Sequence, residues 1–189
     1  MKLIWQHRVI NHTMQNYERN FMKPDKAKKI ALYGLMVALA FTFSYLESLI
    51  PFNFGIPGVK LGLANLVVVV AIYIMKPSEA FSIALIRIFL AALTFGNIYS
   101  LAYSLCGGIL SFLVMYFAKK TKLSVIGVSI LGGICHNIGQ LIVAAFVMET
   151  VRLAYYLPVL LIAGLITGLL IGIVSKLIID RLDKIKKAR

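Results

Sequence analysis

The chain has 189 residues, of which 60% are hydrophobic and 14% are charged, and its formal net charge is +13. This composition excludes a disordered protein and is not typical of a soluble domain. The positive charge alone suggests RNA binding by basic tails, but the distribution of the basic residues favours membrane orientation.

Residues 1–26 form a basic segment ahead of the first apolar run. Within residues 1–22, apolar side chains such as Leu3, Ile10 and Met14 recur at helical spacing, which is compatible with a helix on the membrane surface. The alternative is a loosely ordered tail. The first apolar run is about 20 residues long and lacks a small-residue cleavage pattern, so we do not expect a removable signal peptide.

Six apolar runs follow, and a helix needs about 20 such residues to cross the hydrocarbon core. They cover residues 30–50, 60–75, 79–96, 99–118, 124–148 and 156–178. The second run is short for a full crossing, which suggests a tilted or broken helix. We predict an all-α integral membrane protein, with one six-transmembrane-helix bundle at 27–180 and a basic cytoplasmic tail at 181–189.

Basic residues predict the orientation of these spans. With the N-terminus in the cytoplasm, all of the 20 lysines and arginines fall in cytoplasmic segments except Lys60, Arg87 and Arg152. This asymmetry is what the positive-inside rule requires, and an odd number of spans would spoil it. We therefore expect both termini in the cytoplasm and a location in a bacterial plasma membrane.

Arg87 lies near the middle of the third span, roughly 15 Å from either end at about 1.5 Å per residue. At this depth the guanidinium needs a partner, a wet cavity or an anionic ligand. Glu47, near the outer end of the first span, is the best candidate counter-ion. Two compatible interpretations stay open: a buried Glu47–Arg87 pair that holds the helices together, and an arginine that binds ligand.

Other polar side chains lie at similar depth or near the outer boundary. The i, i+4 spacing of His136 and Gln140 places them on one face of the fifth span. A lone histidine is more often a satisfied hydrogen-bonding residue than a ligand group, but a cluster from several helices predicts a cavity that opens outward. The predicted ligand-binding residues are Lys60, Asn65, Arg87, His136, Asn137 and Gln140.

Several catalytic motifs are missing from the sequence. It contains no GxxxxGK[ST] loop for nucleotide phosphates, no DDxxD motif for prenyl transfer with magnesium, and neither HExxH nor GxSxG. His136 has no metal-ligand partner at a suitable spacing. We therefore expect no catalytic residue, no metal, no cofactor and no nucleic-acid partner, and we do not expect an enzyme.

Three features together resemble the Gx transporter family: the glycine-rich stretch Pro57–Leu66, the span that carries Arg87, and the sequence GGICHN at 132–137. That family has also carried the label heptaprenyl diphosphate synthase component I. It is similar to the substrate-binding S components of energy-coupling factor (ECF) transporters. The resemblance covers about residues 27–180.

This resemblance implies the substrate-capture subunit of an ATP-driven importer for a vitamin, cofactor precursor or related small molecule. Its implied partners are a transmembrane coupling subunit and two ATPase subunits, besides the ligand and membrane lipid. In S components an Ala-x-x-x-Ala pattern on the first helix contacts the coupling subunit. Ala27 and Ala31 match this pattern literally at the membrane edge, whereas Gly34 and Ala38 match it in size at greater depth.

Two other functions stay open at this stage. One is a non-catalytic membrane accessory subunit in isoprenoid or quinone synthesis, which would bind a prenyl chain and recruit a soluble prenyltransferase. The other is a stand-alone secondary carrier, for which inverted repeats would be the signature, and no clear repeat is found. The partners that co-purify, and uptake by the chain alone in liposomes, distinguish the three.

Overall fold

The computed structural model describes residues 24–49 and 62–188, and nearly all of them are helical. In chain order the elements are α1 (Pro24–Leu49), α2 (Leu63–Ile74), α3 (Pro77–Thr94), α4 (Ile98–Lys119), α5 (Val125–Val147), a short 3-10 helix (Val151–Tyr156) and α6 (Leu157–Lys187). The all-α prediction is confirmed for these residues, and each predicted span coincides with one α-helix. The predicted surface helix within residues 1–22 lies outside the described residues.

Five of the described helices are long and apolar enough to cross a membrane, and α2 is the exception. Its 12 residues extend over about 18 Å at 1.5 Å per residue, whereas the hydrocarbon core is about 30 Å thick. The protein is therefore a multi-pass membrane protein, but α2 by itself is too short to be the sixth crossing. The last helix is longer than its predicted span and continues through the predicted basic tail to Lys187.

The chain divides within α1 into one unit that ends at Leu35 and a second that begins at Met36. The described residues of the first unit are the first turns of α1. In the second unit, α5 packs along both α4 and α6, while α2 contacts α3, α4 and α6.

Burial within the protein explains how the short helix α2 is accommodated. Its residues from Val67 through Ile72 are all buried, so the central part of this helix is shielded from lipid by the rest of the protein. The Lys119 ammonium on α4 donates a hydrogen bond of 2.6 Å to the Ile72 carbonyl. A cation at this position satisfies a terminal carbonyl and complements the negative end of the helix dipole.

Glycines set the distances between α5 and its two neighbours. A Cβ atom on Gly139 would lie 2.7 Å from the Cα of Gly107 on α4, and one on Gly168 would lie 2.7 Å from the Cα of Ile130 on α5. Side chains cannot approach backbone this closely, so the helices cross through their glycines. Because lipid tails are as apolar as the side chains, close backbone packing contributes much of the association between helices.

We predict that Gly139→Ala destabilises the protein, because the added methyl group forces α4 and α5 apart. Overpacking of this kind costs about 1–3 kcal/mol. The matched control is Gly127→Ala on the same helix, where the nearest atom to the new Cβ is a Leu123 methyl carbon at 3.5 Å. That variant should be as stable as the parent or more so, because alanine favours helix by about 0.5–1 kcal/mol. Unfolding in mixed micelles measures both, and equal stability of the two variants would contradict the packing account.

Candidate ligand-binding site

One cavity of about 220 Å³ lies within the second unit, and all six α-helices contribute to its lining. It is bordered by the end of α1, the start of α2, the end of α3 and the start of α4, and it reaches inward between α5 and α6. Of the residues predicted to bind ligand, it brings together Asn65, Arg87, His136, Asn137 and Gln140. Lys60, the sixth, lies outside the described residues. That these side chains bind a ligand stays a prediction.

Arg87 joins three helices at this cavity. Its Nη2 atom donates a 2.9 Å hydrogen bond to Asn65 Oδ1 at the start of α2. Its Nη1 atom makes a longer contact of 3.5 Å with Ser44 Oγ on α1. Its Nε atom is buried and has no hydrogen-bond partner within the described part of the chain. The guanidinium is therefore only partly satisfied by protein groups.

Glu47 supplies negative charge on the same side of the cavity. Its carboxylate accepts a hydrogen bond from the backbone N–H of Gly62, which is the N-cap residue of α2. A carboxylate is favourable at a helix N-terminus, because the free N–H groups and the helix dipole both attract it. Glu47 and Arg87 line the same cavity, so their opposite charges attract each other; that Glu47 is the counter-ion stays a prediction.

Gly62 has a structural reason to be glycine at this position. Its φ angle of 71° lies in the left-handed region, which is unfavourable for residues other than glycine. This conformation lets its N–H reach Glu47 while α2 begins at the next residue. The described end of the glycine-rich loop therefore connects α1 to α2 beside the cavity.

The two amide side chains on α5, Asn137 and Gln140, have different surroundings. Asn137 donates a 2.8 Å hydrogen bond from Nδ2 to the Leu160 carbonyl on α6, so it links the two helices as well as lining the cavity. Gln140 is only 6% exposed, and its Oε1 atom has no hydrogen-bond partner among the described residues. Gln140 is therefore the better candidate for a ligand contact. Asn137 has a structural role in joining α5 to α6, in addition to its predicted role in the cavity.

Sequence reasoning missed a set of hydroxyl groups as candidates for the site. The cavity is lined by Ser44, Ser48, Ser100, Ser104, Ser111, Ser129 and Thr167. The signal was present on α4, where Ser100, Ser104 and Ser111 recur at helical spacing and mark one face. Serine is also common at packing contacts between membrane helices, so this spacing alone does not distinguish a cavity lining from a packing face.

The lining of the cavity combines charged and hydrogen-bonding groups of several kinds. Within residues 24–49 and 62–188, no group of three or more His, Cys, Asp or Glu side chains is close enough to hold a metal ion. What the cavity offers is a guanidinium, a carboxylate, an imidazole, amides and hydroxyls. These groups recognise small polar molecules through hydrogen bonds and charge.

Comparison with known families places this chain. The family described as heptaprenyl diphosphate synthase component I matches residues 36–178. The chain belongs to this family. The matched segment contains every described residue that lines the cavity. The match confirms the family label expected from the sequence, whereas the similarity to S components of ECF transporters stays a prediction. Neither the curated proteins nor the solved structures contain a match.

We predict that Glu47 and Arg87 are energetically coupled. Glu47→Gln and Arg87→Met should each destabilise the protein by about 1–3 kcal/mol, because each leaves the remaining charge less well compensated in a poorly solvated site. The double variant should lose less than the sum of the two, by about 1 kcal/mol or more. Unfolding in mixed micelles closes this double-mutant cycle. Strictly additive losses would show that the two charges do not stabilise each other.

Proposed function

We propose that this protein is the substrate-capture subunit of an ATP-driven importer of the energy-coupling factor type. It binds a vitamin, a cofactor precursor or a related small molecule from outside the cell. The transmembrane coupling subunit and two ATPase subunits belong to other chains. The observation that carries the proposal is the polar cavity around Arg87, with Gln140 buried inside it.

A cavity of this kind has a functional rather than a packing explanation. A helix bundle that served only as an anchor would fill its centre with apolar side chains, since polar groups at membrane depth are costly. Here the Arg87 Nε and Gln140 Oε1 atoms are buried without hydrogen-bond partners among the described residues. Partly satisfied groups that line one space are what a site for a polar ligand requires.

The predicted orientation gives the cavity a direction. Its border is formed by Glu47 near the end of α1, Gly62 before α2, and Gly96 and Asn97 between α3 and α4. With both termini in the cytoplasm, these connections lie on the outer side of the membrane. The cavity then takes its ligand from outside, as a capture subunit must.

The energy for transport comes from partner chains in this proposal. The sequence contains no nucleotide-binding loop, so ATP hydrolysis belongs to other subunits. Of the two candidate docking pairs on α1, Gly34 has no atom within 4 Å of where its Cβ would be, and Ala38 is exposed. Ala27 and Ala31 are exposed as well. A small-residue face lets another membrane helix approach closely.

The family description favours a second candidate, an accessory membrane subunit in heptaprenyl diphosphate synthesis. Two features of the cavity argue for the importer instead. Its volume of about 220 Å³ lies below the roughly 300–1,000 Å³ of typical small-molecule pockets, so it suits a compact molecule better than a heptaprenyl chain. A diphosphate would also bring several negative charges to a site with one described arginine.

We predict that the full-length chain, purified gently from its host membrane, carries a coupling subunit and two ATPases. Ala38→Leu should remove them without lowering stability, because a large side chain holds the partner helix away. Ala38→Ser keeps the residue small and is the matched control. Mass spectrometry of the co-purified chains is the measurement. A soluble prenyltransferase in place of the ATPases would favour the accessory-subunit function and contradict the importer.

A further inference from the structure

The charges of the described residues that line the cavity come close to cancelling one another. Among the described lining residues, the side chains that carry charge near neutral pH are Glu47 and Arg87, and His136 is the remaining titratable group. The negative charge of the carboxylate and the positive charge of the guanidinium sum to zero. An importer cavity with this balance differs from one designed for an anion, in which cations exceed carboxylates.

The uncompensated hydrogen-bonding groups in the lining are of both kinds. The Nε–H of Arg87 lacks an acceptor, while Gln140 Oε1 is an acceptor that lacks a donor, within the described part of the protein. Ser111 is 2% exposed, and its hydroxyl, which both donates and accepts, has no partner there either. A molecule that satisfies all three needs an acceptor group at one position and an N–H or O–H group at another.

We propose that the ligand of this cavity is a compact molecule with no net charge, either neutral or zwitterionic, that presents both an acceptor and a donor. The inference rests on the proposed capture function and narrows its substrate class. The acceptor group binds the Arg87 Nε–H, and the donor group binds Gln140 Oε1.

The cost of an uncompensated charge in a poorly solvated site supports a ligand without net charge. Glu47 is already held by the Gly62 N–H, and Arg87 by Asn65, so each charge of the protein is partly compensated before a ligand enters. A net anion would have to compete with Glu47 for Arg87, and a net cation would have to compete with Arg87 for Glu47. A neutral or zwitterionic molecule enters without creating an uncompensated charge.

The test measures the charge preference of the cavity with reagents of known charge. Ser104 lines the cavity, and a Ser104→Cys variant is made in a background carrying Cys106→Ala and Cys135→Ala. Its labelling rates are measured with two methanethiosulfonates, one bearing an anionic sulfonate and the other a cationic trimethylammonium group. Each rate is divided by the rate for a free thiol in solution. Ser48→Cys, exposed at the cavity border, controls for delivery of the reagents.

We expect the normalised anionic and cationic rates at Ser104→Cys to agree within a few-fold. Adding Glu47→Gln should shift the ratio towards the anionic reagent by about tenfold, and adding Arg87→Gln should shift it towards the cationic reagent by a similar factor.

The outcomes separate this inference from the proposed function. A strong preference for one reagent in the parent, about tenfold or more, would overturn the net-neutral class while the accessible cavity still supports capture. Absence of labelling at Ser104→Cys with normal labelling at Ser48→Cys would mean that small solutes do not enter. That result would overturn both the ligand class and the capture function.

Discussion

The structure depends on how one guanidinium is compensated within a membrane helix. Arg87 cannot reach water easily from the middle of α3, so other elements have to bring polar groups to it. Asn65 does so from the start of α2, Ser44 does so from α1, and Glu47 adds its charge while holding Gly62. The short helix, the left-handed glycine and the end of the first helix are all located around this one charge. The cavity is the space that this arrangement leaves unfilled.

Glycine contacts make that arrangement possible, because they let α4, α5 and α6 pack closely against one another. The same glycines leave room on the inner faces for hydroxyl and amide groups. Gly139 packs against α4 and Gly168 packs against α5, while polar groups from all six α-helices line the cavity. In a membrane, where burial of apolar surface gives little net stabilisation, this division between packing and polar surfaces determines the fold.

The positions of the helices were predictable, because each is encoded by a local apolar run with basic or turn residues at its ends. That Asn65, Arg87, His136 and Gln140 lie around one cavity was also predictable. Charged and amide groups within a membrane face the interior of the helix bundle, because contact with lipid is costly. What no local pattern specifies is partner choice. The bond from Asn137 to the Leu160 carbonyl, the capture of the Gly62 N–H by Glu47 and the polar role of the serines depend on how helices far apart in sequence meet.

The chain belongs to the heptaprenyl diphosphate synthase component I family, and our proposal is that it captures a small polar molecule for import. The most direct test is native mass spectrometry of the full-length chain released from its host membrane, compared with the Gln140→Leu variant. The account predicts a small bound molecule on the parent chain that is lost from the variant. A parent chain that carries only lipid or a prenyl diphosphate would contradict it.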